Sequence, residues 1–82
     1  MYFILAGDDN QARACADIKR LGRDEWKRLG SEQDVRGRSF KGDTVLLFGS
    51  YRDRHIFQWR EWVVQAQRHG AAVEEVVDGR MR

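Results

Sequence analysis

Val45-Leu46-Leu47-Phe48-Gly49-Ser50-Tyr51-Arg52-Asp53-Arg54 is the stretch that decides the fold. Its first four residues are apolar without alternation, the pattern of a strand covered on both faces, as in parallel sheets. Gly49 ends the run, and polar residues able to start a helix follow at once. The N-terminus repeats the arrangement: Tyr2-Phe3-Ile4-Leu5-Ala6-Gly7-Asp8-Asp9-Asn10. Strand, glycine and helix N-terminus in that order build the ligand crevice of an open α/β sheet at the carboxyl ends of its strands.

Working outward, residues 2–6 read as the first strand. Asp8 or Asp9 caps a helix running to about Leu21, where Ala14, Cys15, Ile18 and Leu21 share one face and Gly22 sits at the C-cap. A short edge strand fits Glu25 to Leu29. Ser31 and Asp34 form a capping pattern for a short helix ending near Gly37, and Arg36 to Gly42 forms a basic loop carrying Phe40. Thr44 to Phe48 is the third strand. The next helix spans about 53–69, capped by Ser50 or Asp53 and closed by Gly70, with Ile56, Trp59, Val63 and Ala66 as its packing stripe and Trp62 beside it. Ala72 to Val77 makes a last edge strand, and residues 78–82 a loose tail.

One α/β domain over residues 1–82 is therefore expected: a small three-layer, Rossmann-like unit with a mainly parallel sheet of about four strands in the order 2-1-3-4. Right-handed crossovers place the first helix alone on one face of that sheet. No helix follows the fourth strand, so this face is expected to stay half uncovered, and a homodimer is expected to cover it.

The composition suits a small globular domain: 82 residues, 41% hydrophobic, 34% charged and a formal net charge of +2. Twelve of its fifteen basic residues are Arg, yet so slight an excess is no clustered basic face. The single Cys15 has no intramolecular disulfide partner, which suits a reducing cytoplasm. The first apolar run is too short for a membrane segment, and neither membrane association nor a targeting leader is expected. His55 and His69 stand too far apart on one helix to share a metal, so no metal and no cofactor are expected.

Three surfaces are candidates for function. The crevice gathers Gly7, Asp8, Asp9, Asn10, Gly49, Ser50, Tyr51, Arg52 and Arg54. Backbone N–H groups and an Arg there can hold a phosphate, although the phosphate-binding glycine motifs are missing and the paired acids oppose an anion. Arg36, Arg38 and Lys41 around Phe40, with Arg52 and Arg54 near Tyr51, resemble a surface that binds nucleic acid by charge and stacking. Phe57, Trp59 and Trp62 cannot share one narrow helical stripe. They read either as a broad buried face or as an interface.

The chain resembles a group of short, uncharacterised proteins of actinobacterial bacteriophages, such as mycobacteriophages. The residues carrying the likeness are Tyr2 to Gly7 with Gln11-Ala12-Arg13, Arg23-Asp24-Glu25-Trp26 leading to Ser31, Val35-Arg36-Gly37, and Val45 to Gly49 with Tyr51-Arg52-Asp53-Arg54. In that group a proline often follows the Asp-Arg pair, where this chain has His55. The resemblance implies a small Rossmann-like phage accessory protein and brings no catalytic residue. The expected function is a non-enzymatic accessory role exercised by binding a protein partner of the host, in the cytoplasm. A nucleotide- or phosphate-binding module at the crevice is the second reading, and nucleic-acid binding the third.

Overall fold

A computed structural model of the chain describes residues 1–36 and 39–77. The elements run β1 (Tyr2–Leu5), α1 (Asp9–Ile18), β2 (Trp26–Arg28), β3 (Thr44–Leu47), α2 (Tyr51–Arg54), α3 (Trp59–Arg68) and β4 (Ala72–Glu75), with a 3-10 turn at Glu32–Asp34. All strand pairs are parallel, and the order is β2-β1-β3-β4. This is the expected α/β fold, a small Rossmann-like domain. The expected helix end at Gly37, the basic residue Arg38 and the tail 78–82 lie outside the described residues.

The unalternating runs behave as parallel central strands should. Phe3, Leu5, Val45 and Leu47 face a core shared with Leu29, Val35, Phe40, Tyr51, Trp62 and Ala66. Ile4, Ala6, Leu46 and Phe48 face the opposite core, formed with Ala12, Cys15 and Ala16 of α1 and with Val76. The two layers of helices thus lie on opposite sides of the sheet, as right-handed crossovers require.

The α1 face is closed, contrary to expectation. Ile4 and Leu46 are fully buried and Phe48 is 4% exposed. Val76, just beyond β4, reaches this core, and Tyr2, Leu21 and Trp26 pack at its margin. Lys19, from the end of α1, crosses to Glu74 on β4 at 2.6 Å. The sheet residues on this side are therefore covered within the chain, so the half-uncovered sheet face from which a second copy was expected is not found among the described residues.

Helix α1 packs differently from its expected stripe. Ala12, Cys15 and Ala16 are buried, whereas Ala14 and Ile18 are exposed. Asp8 caps the start, accepting from the Gln11 N–H at 2.8 Å. The helix stops at Ile18, before Leu21, because Arg20 turns left-handed (φ 54°). Arg20 N–H donates to the Asp17 carbonyl and Leu21 N–H to the Ala16 carbonyl, the bonding of a Schellman cap. Arg20, not Gly22, fills the position that glycine usually takes.

The expected helix over 53–69 is broken in two. Residues 55–58 turn, and α3 begins at Trp59. His55, Ile56 and Phe57 are mediocre helix formers, and the turn lets Tyr51 and Trp62 both bury against the sheet, at 2% and 5% exposure. Ile56 leaves the packing stripe and is 62% exposed, while Trp62 joins the core. Ser50 occupies the N-cap position of α2 without a side-chain cap bond. Asp53 lies inside that short helix, so neither expected side-chain cap forms. Asp34 does cap as its spacing predicts, accepting from Gly30 and Ser31 N–H at 2.8 and 2.9 Å.

Candidate functional site

The β1–α1 and β3–α2 loops lie side by side because β1 and β3 pair in register, Leu5 opposite Leu47. Between them sits a side chain that sequence reasoning did not assign to the site. The Gln11 carboxamide oxygen accepts from Gly7 N–H at 2.8 Å and from Ser50 N–H at 2.9 Å, and its amide donates to Ser50 Oγ at 3.0 Å. Backbone donors that could have held an anion are thus used by a side chain of the first turn of α1. The glycines make room for it. Gly49 has φ +67°, and a Cβ there would collide with the Gln11 carboxamide.

A shallow hollow of about 480 Å³ lies outside this latch, lined by Gly7, Asp8, Asp9, Ser50 and Arg54 of the expected crevice together with Arg28 and Asp53. Arg28 pairs with Asp9 at 2.7 Å. Three carboxylates face two guanidinium groups, a poor balance for a phosphate. The other expected crevice residues point elsewhere. Asn10 is exposed on α1, and Tyr51 is buried on the far face of the sheet. Arg52 lies over Tyr51 and Trp59, with its guanidinium carbon 5.5 and 5.3 Å from the ring centroids.

Beside the hollow, burial pushes the His55 imidazole below its ordinary pKa. Arg28 and Arg54 push the same way, against an opposing hydrogen bond with the Ala6 backbone. Its ring packs 5.0 Å from that of Trp62. Burial likewise lifts the Cys15 thiol to about 11, far from the thiolate form that a nucleophile needs. Among the described residues, no group of three or more His, Cys, Asp or Glu side chains is placed to hold a metal ion. No described helix is long and apolar enough to cross a membrane.

The aromatics of the basic loops turn inward. Phe40 is fully buried, edge-on to Phe3 at 5.1 Å, and its N–H donates to the His69 carbonyl at 2.9 Å. Neither Phe40 nor Tyr51 offers a base a stacking surface.

The surface aromatics gather at the α2–α3 corner instead. Phe57 is 86% exposed, and Trp59 is half-buried against Tyr51, at 5.4 Å and 82°. Arg52 and Arg60 both lie 5.3 Å from the Trp59 ring centroid. These three residues, with Asp53 and Ile56, line a hollow of about 500 Å³. Of the expected interface residues, then, Phe57 and Trp59 stand at the surface and Trp62 does not.

The chain matches no protein-family model, no curated protein and no solved structure.

Proposed function

We propose that this domain is a non-enzymatic binding module that takes a protein partner at the α2–α3 corner. The observation that carries this reading is the exposure of Phe57 and Ile56, at 86% and 62%, beside a Trp59 ring that supports two Arg side chains. Aromatic residues and Arg are the types enriched in interface cores. Large apolar side chains next to each other in an exposed turn lose contact with water only against a second surface. The resemblance to short phage proteins supports a host protein as that partner. The second reading, a phosphate ligand at the crevice, loses support from the Gln11 latch and from the excess of carboxylates around it.

A photo-reactive benzoyl-phenylalanine at position 57, in cells of an actinobacterial host, tests the reading. The expected result is a discrete protein adduct that is absent when the label stands at position 27 on β2. Adducts of equal yield from both positions, or none from position 57, would refute it.

A further inference from the structure

We infer that the segment received at the α2–α3 corner is acidic, with an apolar anchor. This rests on the protein-partner reading above and adds the chemistry of the partner. Arg52 and Arg60 are both packed on the Trp59 ring, so each guanidinium fork is held over a rigid plane before any partner arrives. Arg52 is fixed further by its Nε donating to Tyr51 Oη at 3.1 Å. Arg52 already gives its Nε to Tyr51 and faces Glu75 from Nη2, so the planar fork of Arg60 is the one placed for bidentate capture of a carboxylate, with Arg52 adding charge beside it.

The charges around the corner favour an anion. Within the hollow, Arg52 and Arg60 face one carboxylate, that of Asp53. Glu75 approaches Arg52 only to 3.8 Å, with both side chains more than half exposed. Glu61 is in reach of the Gln65 amide at 3.4 Å. Arg54 stands on the same short helix and adds positive charge on its other side, toward the crevice. Ile56 lines the hollow and Phe57 follows it in the turn, so apolar anchoring and anion capture occupy one surface. A segment placing Asp or Glu next to Phe, Leu or Ile would meet both needs. A basic segment would meet two guanidinium groups, and a polar neutral one would leave Phe57 without cover.

Selection of a displayed random-peptide library on the immobilised full chain decides the matter. The expected peptides carry Asp or Glu next to an aromatic or aliphatic residue. They should bind Arg60→Glu at least about tenfold more weakly, the scale of losing charge-assisted hydrogen bonds, and should lose binding to Phe57→Ser. Both positions lie on the surface, and thermal unfolding superposable on wild type certifies the variants. Peptides that depend on Phe57 but carry no acid, or that bind Arg60→Glu undiminished, overturn the acidic assignment and leave the protein-partner reading standing. Peptides indifferent to both substitutions, or no enriched peptide, overturn it as well, with photo-crosslinking at position 57 still judging the broader reading. Oligothymidylate retained by wild type and released by Arg60→Glu would replace the acidic peptide with single-stranded nucleic acid.

Discussion

Replacing Gln11 by Ala removes the group that joins the β1–α1 and β3–α2 loops. The Gly7 and Ser50 N–H groups lose their common acceptor and Ser50 Oγ loses a donor, three bonds of 2.8 to 3.0 Å. Each such bond contributes about 0.5–1.5 kcal/mol net. The hollow beside them admits water that can replace part of what is lost, so the expected cost is about 1–3 kcal/mol. A domain of this length has a total stability of roughly 4–12 kcal/mol, and its midpoint moves by about 4–8 °C for each kcal/mol. Urea unfolding followed by tryptophan fluorescence reads the loss. Amide hydrogen exchange locates it, with faster exchange expected at Gly7 and Ser50. Gln11→Glu is the control: its carboxylate can accept both N–H groups, with the Ser50 hydroxyl rotated to donate. It should stay near wild type at neutral pH. A Gln11→Ala variant within about 0.3 kcal/mol of wild type, with unchanged exchange at both amides, would refute the latch.

Three further outcomes follow from the geometry. Cys15, with its thiol lifted to about 11 by burial, should resist iodoacetamide at pH 8 in the native state and react once urea unfolds the chain; rapid native labelling would contradict the burial. His55 has a folded pKa below its ordinary value, so below about pH 6.5 the unfolded chain binds the proton more readily, and stability should fall as pH is lowered through that range. Urea titrations between pH 5 and 7.5 should show this slope, and His55→Gln should flatten it. Arg20→Gly removes a side chain from a left-handed position (φ 54°) and should stabilise the domain by up to about 1 kcal/mol, read as a raised thermal midpoint.

The central sheet was legible because its information is local. Four apolar residues in succession at Val45 to Phe48 and a similar run after Tyr2, each short and ended by glycine, point to doubly covered strands. The connecting pieces were less so. Nothing local distinguishes Arg20 from Gly22 as the residue that ends α1; the position of Leu21 against the sheet makes the choice. The break between α2 and α3 depends on Tyr51 and Trp62 both reaching the core, which a helical period cannot anticipate. The neighbouring placement of the Gly7 and Gly49 loops followed from the strand order, whereas the Gln11 side chain between them did not. Gln11 is 39 residues from Ser50 in sequence, and its role exists only once two strands bring their loops together. The spacing from Gly7 to Gln11 was the available signal, since a side chain in the first turn of a helix can fold back over the preceding loop. The corner aromatics divided for the same reason: Phe57, Trp59 and Trp62 share one composition, and the turn at 55–58 decides which of them meets water.

The acidic pair on β4 has a consequence for how this chain behaves in a crowd. Glu74 and Glu75 point to opposite faces of an outer strand, one toward Lys19 and the other toward Arg52. Any chain that tried to add itself to this border would meet carboxylates above and below the strand's outer line of peptide groups. A copy of the same strand would bring its own carboxylates against them. Charged borders of this kind discourage the sheet-to-sheet polymerisation that threatens small parallel domains with unprotected margins. Replacing both acids with Val would leave the interior untouched and convert a self-limiting border into a template for fibre growth.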